Sequence, residues 1–421
     1  MTGTLTGIFF LALALLGTPL FVVVGGLALA SFHAAKIDIQ SVIVEMYRLA
    51  ENPFLITIPL FTFAGFMMAE SGTAKRLARI ARAGIGWMPA GIVIGVIVAC
   101  SFFTTISGAS AVTIIALGGL MLPLLKSEGY PENFSLGICT AAGSMGLLFP
   151  PSLPLIVYGV MTKLEINKLF IAGILPGAVT VIVLSIFGII VAYRAGARRI
   201  KVNGREFFGA VNEIKWEALV PVIIIGGVFG GIVTVGEMAA VTAAYVFIIE
   251  VFVYKDLKVR RDIPRIITKS MLLVGAILLI LGCALGLTNY VVDAEVPDKI
   301  FEITSRYFTS RWSFLLALNV FLLIIGGFLD VFSAIIVVVP VIMPVALKVG
   351  IDPIHLAIIF IANLQVGYLM PPAGMDLLVA SLAFDQPMTR MYRVAIPFVL
   401  VLFISLMVIT YVPWLSLGLL N

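Results

Sequence analysis

Two short stretches of this chain carry the residue types from which an ion or solute site is built. Residues 104–110 read TTISGAS and offer the hydroxyls of Ser107 and Ser110 around the flexible Gly108. Residues 326–334 read GGFLDVFSA and contain Asp330, the single charge in the apolar run 312–347. Each is followed along the chain by a proline pair, in 143–158 (GSMGLLFPPSLPLIVY) and in 367–378 (GYLMPPAGMDLL). Backbone carbonyls released by a helix break, together with hydroxyls, are hard oxygen donors that hold a cation such as sodium without a full buried charge. The first candidate ion site therefore combines Ser107, Gly108 and Ser110 with Gly143, Gly146 and Pro150. The second combines Gly326, Gly327 and Asp330 with Gly367, Met370 and Pro371. Asp330 could be an ion ligand, a proton carrier, or the cap of the helix that follows it, since an acid inside an apolar span costs about 2.5 to 3.5 kcal/mol to insert. Ser107, Ser152, Gly374 and Asp376 are the candidates for contact with a transported solute. Close helix packing is the structural alternative for the serines and glycines of the first tip.

These residues need elements that bring them together, and the prolines indicate which. A helix cannot run unbroken through Pro150-Pro151 or Pro371-Pro372, because each proline lacks a donor and its ring clashes with the preceding turn. A constant shift of 221 residues superposes Gly146 on Gly367 and both proline pairs on each other; it also pairs Pro123 with Pro344, Gly129 with Gly350, Ala141 with Ala362 and Pro176 with Pro397. Glycine and proline fix backbone geometry, so their recurrence in register marks an internal repeat. Broken helices at corresponding places in two halves are the pattern of a secondary transporter.

Composition agrees. The 421 residues are 61% hydrophobic and 12% charged, with a mean hydropathy of +1.17. Soluble domains carry about twice that charge, so the expected class is an all-α polytopic membrane protein. The first apolar run, 5–31, lacks a basic leader and a small-residue cleavage site and reads as a retained span. Cys100, Cys139 and Cys283 all lie in apolar segments and imply neither a disulfide framework nor a metal site. The net charge of +5 is explained by basic loops on one side of a membrane and gives no reason to expect nucleic acid.

In chain order, 38–50 is an amphipathic interfacial arm, 53–69 a span, and 72–87 a basic helix whose Lys75, Arg76, Arg79 and Arg82 suit anionic headgroups. Residues 89–125 carry no charge, too long for one span and too short for two, and fit a re-entrant hairpin with its tip at TTISGAS. The first broken span, 134–162, is followed by a span over 169–193 and a basic run through Arg194, Arg198, Arg199, Lys201 and Arg205. Helices over 218–235 and 238–254 pair across a short turn. A second arm is expected at 255–269, a span at 270–292, an acidic loop at 293–311, a second hairpin at 312–347, a broken span at 356–383 and a last span from 394. Tracing these alternately across the bilayer puts 19 of the 27 Lys and Arg on one side and 8 on the other, so the richer side is cytoplasmic and the halves are inverted. Scaffold and arm are assigned to 1–87, 169–269, 270–311 and 394–421, and the moving part to 88–168 and 312–393.

Other residues have simpler readings. Glu237 sits at a helix start, where an acid suits the helix dipole. Asp376 either faces the cavity or pairs with a neighbouring dipole. His33 and His355 lie at span ends as anchors. No Gly-Lys dipeptide exists, so no phosphate-binding loop drives transport. GASA at 108–111 looks superficially like the serine motif of intramembrane rhomboid proteases, but neither histidine lies mid-span to act as its base.

The segments FFTTISGASAVTIIALGGLMLPLL from Phe102, GLLFPPSLPLIVYG from Gly146, GGFLDVFSAIIVVVPVIMP from Gly326 and IFIANLQVGYLMPPAGMDLLVAS from Ile359 resemble the large membrane subunit of tripartite ATP-independent periplasmic (TRAP) transporters, of the dicarboxylate type. The resemblance covers nearly the whole chain. It implies an elevator-type inverted-repeat fold in the bacterial inner membrane, with two re-entrant hairpins and two broken helices. It also implies sodium-coupled uptake of a carboxylate, with C4-dicarboxylate favoured over sialic acid or another organic acid. A periplasmic substrate-binding protein would deliver the solute and a small four-span membrane subunit would complete the scaffold; sodium is the coupling ion and no other cofactor is implied. A stand-alone organic-anion symporter is the alternative. Two departures stand out: VGEMAA at Glu237 replaces the more usual Thr-Pro-Thr-Glu-Ala pattern, and Asp376 is charged where an uncharged residue is expected.

Overall fold

The computed structural model describes residues 2–88, 90–196, 204–307 and 310–420, which form helices joined by turns, with no strand among the described residues. The 221-residue shift holds element by element. Gly91–Ser107 corresponds to Arg311–Gly326, the helical stretch 110–127 to Val331–Lys348, and Glu132–Ala141 to Pro353–Gly367. Leu153–Thr162 likewise corresponds to Met375–Ala383, and Ile166–Ala195 to Met388–Tyr411. The first two of these pairs of segments are the limbs of the hairpins, and the next two are the halves of the broken helices. Between the halves, the Pro150–Pro151 and Pro371–Pro372 peptide bonds are cis. Six helices among the described residues are long and apolar enough to cross a membrane, from Ser110–Ser127 to Met388–Tyr411, and the fold is that of an all-α polytopic membrane protein.

One joint differs between the repeats. Gln40–Ala50 and Thr57–Glu70 are separate helices because Pro53 pushes the residue before it out of helical geometry. The equivalent position in the second repeat is Val274, and there the arm and the span merge into a single 32-residue helix, Asp262–Asp293. The separate arm expected at 255–269 is thus corrected: the boundary between residues 269 and 270 falls inside this helix. The acidic loop expected at 293–311 also contains a helix, Val296–Tyr307, which is the repeat partner of Thr73–Ile85.

Leu20–Ala34, Gln40–Ala50 and Thr57–Glu70 all pack along Asp262–Asp293, and Val235–Ile248 closes the other side of Thr57–Glu70. Val331–Lys348 packs against Leu153–Thr162, so the second hairpin is keyed to the first broken helix.

The expected basic headgroup face on Thr73–Ile85 is only partly there. Arg76 turns inward, with a side chain only 8% exposed, and grips the fully buried Glu217 through Nε (2.9 Å) and Nη2 (2.7 Å). The same guanidinium reaches Glu250 at 3.2 Å and Asp256 at 2.7 Å, and lies 3.8 Å from the centre of the Tyr254 ring. Arg79 pairs with Glu206 and Glu213 on the surface. These acids, from neighbouring helices and, for Asp256, the segment after Val253, were not part of the sequence expectation. The long-range ion pairs fit the alternating trace: Arg76 with Glu217, Arg265 with Glu70 and Arg390 with Glu132 join residues of the basic-rich side, and Lys348 with Asp298 joins two of the other. Pro89, Arg198, Arg199 and Lys201 lie outside the described residues.

Candidate ion and substrate site

The first hairpin turns at Gly108, which closes Gly91–Ser107 with a φ of +67°; a β-carbon there would come within 2.3 Å of Leu153. Ala109 is extended, and Ser110 begins the return limb. The broken helix is pressed onto this hairpin. A β-carbon on Gly146 would lie 2.4 Å from the Ser101 carbonyl and 2.5 Å from the Thr105 nitrogen, so only glycine allows the approach. Threonines meet the break: Thr104 Oγ1 donates to Gly143 O at 2.6 Å, while Thr105 Oγ1 donates to Ser101 O at 2.8 Å and lies 3.2 Å from Gly146 O, itself the acceptor of Phe149 N; the Thr104 and Thr113 hydroxyls lie 2.6 Å apart.

This refines the expected pairing. Ser107 and Ser110 are buried at the tip with Gly108, Gly143, Gly146 and Pro150, but the hydroxyl that reaches the Gly143 carbonyl belongs to Thr104, one turn before Ser107, with Thr105 beside Gly146. Ser107 Oγ makes only long contacts, 3.4 to 3.5 Å, with the Ala109 backbone. The signal for the threonines was present in TTISGAS itself, because residues one turn before a helix end share its face.

At the second tip the closest approach is glycine to glycine. A β-carbon on Gly367 would lie 2.7 Å from Gly326 Cα, and one on Gly326 would lie 3.0 Å from Gly367 Cα. Under the repeat shift Gly326 is the equivalent of Thr105 and Gly367 that of Gly146, so one contact is made twice. Gly327 O accepts from Ala373 N at 3.0 Å, and the Tyr368 hydroxyl accepts from Val331 N at 2.5 Å. Asp330 caps Val331–Lys348: Oδ2 accepts from Phe332 N (3.0 Å) and Ser333 N (3.2 Å), and Oδ1 accepts from the Ser333 hydroxyl. Three bonds leave about one of the four acceptor directions of a carboxylate open. Unlike the first tip this one is accessible, with Asp330 and Met370 half-buried and Pro371 exposed.

The solute candidates separate. Ser152 is buried and caps Leu153–Thr162, accepting from Leu155 N at 3.3 Å and donating to Leu147 O. Gly374 is required by close packing, since a β-carbon would meet the Tyr368 carbonyl at 2.4 Å. Asp376 is fully buried in the first turn of Met375–Ala383, and neither of its oxygens has a hydrogen-bond partner. Glu237 completes a capping box with Thr234, and His355 is buried between Ser416 (3.1 Å) and the Thr410 carbonyl (3.2 Å).

The model of one protein family, described as "Tripartite ATP-independent periplasmic transporter, DctM component", matches residues 7–415. The chain belongs to this family. Within the DctM family it is 33% identical to a C4-dicarboxylate TRAP transporter large permease protein of Pseudomonas aeruginosa, with 91% of this chain and 90% of that one covered. It is 31% identical to a sialic acid TRAP transporter large permease protein of Vibrio cholerae, over 87% and 86%. An isethionate TRAP transporter permease protein of Oleidesulfovibrio alaskensis is 34% identical over 96% of this chain and 64% of its own. The YdaH transporter of Alcanivorax borkumensis shares the fold, with a TM-score of 0.66 at 14% identity over 90% and 88% of the two chains. The DctM-family chain is thus a large permease subunit of a TRAP transporter and not an enzyme, and the protease-like reading of GASA is set aside.

Proposed function

We propose that this DctM-family chain is the translocating subunit of a sodium-driven importer of organic acids in the bacterial inner membrane, with a C4-dicarboxylate as the favoured substrate. Sodium ions bind at the two hairpin tips, each between hydroxyl or carboxylate oxygens of the hairpin and carbonyls of its broken helix. The Gly143 carbonyl, which accepts from Thr104, keeps a second lone pair for a cation. The solute is delivered by a periplasmic binding protein. A small four-span membrane subunit completes a scaffold formed by 1–87, 169–311 and 394–421, against which 88–168 and 312–393 slide as an elevator. The longer isethionate relative, of which this chain covers 64%, leaves room for such a second membrane component in one polypeptide.

The observation that carries this reading is the doubled contact of hairpin on break, Thr105 with Gly146 and Gly326 with Gly367, which presses each broken helix against its own tip in both repeats. The substrate class follows the relative from Pseudomonas aeruginosa, whose name specifies C4-dicarboxylate.

Proteoliposomes holding this chain, its small subunit and the binding protein loaded with labelled succinate should take up the label under an inward sodium gradient and not when choline replaces sodium. Full uptake by the chain alone would favour a stand-alone symporter. Sodium-independent uptake would remove the coupling ion from the mechanism.

A further inference from the structure

The contacts described above leave one charge unaccounted for. Asp376 has no exposed surface, yet both carboxylate oxygens are without a hydrogen-bond partner. Beside it lie the hydroxyls of Ser110 and Ser144, and the Ser144 hydroxyl is itself buried and unpartnered. Asp376 comes from the second repeat, Ser110 from the first hairpin and Ser144 from the first broken helix. They meet because Met375–Ala383 packs on the return limb of that hairpin, against Ser110–Thr113 and Ile114–Gly118. Gly374 fixes the entry to the helix, being too tightly enclosed by the Tyr368 and Met370 carbonyls for any side chain.

An unpaired buried carboxylate is costly, by several kcal/mol even after relaxation. Its position in the first turn of a helix favours the ionised form but offsets only part of that. The donors around it are all oxygen, and among the described residues no group of three His, Cys, Asp or Glu gathers anywhere to hold a transition metal. Two carboxylate oxygens and two hydroxyls are a donor set for a hard cation.

We propose that Asp376, Ser110 and Ser144 hold a sodium ion at the junction of the two repeats, in addition to the ions at the hairpin tips. The inference rests on the sodium coupling proposed above and adds a site to it. The ion compensates the carboxylate and ties the second broken helix to the first hairpin. Carried through the membrane, the ion adds one positive charge per cycle.

The test is equilibrium binding of radiolabelled sodium to the purified full chain, with thermal unfolding followed from choline chloride to sodium chloride at constant ionic strength. Asp376→Asn keeps the shape and removes the charge. It should bind one sodium fewer than the unaltered protein, and its sodium-dependent rise in melting temperature should be smaller and less steep. Ser144→Ala, a minimal change, should weaken one class of site about tenfold and decides the question should Asp376→Asn fail to purify as a monodisperse protein. Unchanged ion number and affinity in the variants, with normal sodium binding by the unaltered chain, would overturn the junction site alone. Loss of a pH dependence with sodium binding intact would show that Asp376 holds a proton and would also overturn it. Absence of sodium binding by the unaltered chain would instead defeat the proposed coupling as a whole.

Discussion

The Thr104 hydroxyl donates to the Gly143 carbonyl at 2.6 Å and so pins the first hairpin to the break in the helix it faces. Fixing the hairpin and, in the proposed mechanism, binding the ion thereby fall to different hydroxyls. Thr104→Val should leave a buried carbonyl short of a partner and lower stability by about 1 to 3 kcal/mol. Ser107→Ala, whose hydroxyl makes only long contacts, should barely change stability but raise the half-saturating sodium concentration for uptake roughly 5-fold to 150-fold. Thermal unfolding in detergent and uptake titrated with sodium separate the two. The reverse pattern would exchange the roles.

Gly146→Ala and Gly367→Ala should each abolish uptake, because the added carbon has 2.4 Å and 2.7 Å to its nearest neighbours and those neighbours are backbone. Gly119→Ala is the control: its site is open and helical, and the change should be neutral or stabilising by up to about 1 kcal/mol. Tolerance of alanine at either tip glycine would show that hairpin and break need not touch.

The inverted trace can be read directly with cysteines. In a background lacking Cys100, Cys139 and Cys283, all buried, single cysteines at Gly196 and Asp293 should react with a membrane-impermeant reagent from the cytoplasmic and the periplasmic side respectively. Reaction of both from one side would overturn the trace.

Arg76→Ala should be among the most destabilising single changes in the chain, by about 3 to 5 kcal/mol, since it strands Glu217 and Glu250 without their counter-charge. Arg76→Ala combined with Glu217→Gln should recover part of the loss. If Arg76 instead met lipid headgroups, the single change would leave the unfolding midpoint intact and alter only its dependence on anionic lipid.

The breaks, hairpins and repeat were legible because proline and glycine dictate backbone geometry locally, whatever surrounds them. Asp330 could be read from sequence as a cap or a ligand, and the structure shows the cap. Arg76 could not be read correctly: its partners lie 141 to 180 residues away along the chain, and periodicity alone does not distinguish a charged face turned to lipid from one turned to buried acids. The merging of arm and span in Asp262–Asp293 was legible in principle, through the absence of proline at Val274, but the symmetry of the repeat argued for a copy of the first half. Asp376 was seen as a misplaced charge, and only packing between the repeats reveals that it faces Ser110 and Ser144.

The joint at Pro53 and its missing counterpart at Val274 bear on the energetics of the transport cycle. In the proposed elevator both joints belong to the scaffold against which the moving part slides. Here one half has a hinge between arm and span, while the other has a rod of 32 residues, about 48 Å at 1.5 Å per residue. The rod cannot copy the hinge without breaking helical hydrogen bonds. The proposed scaffold is therefore asymmetric between its halves, and the two facing states of the proposed elevator should differ in energy before any ion or solute binds.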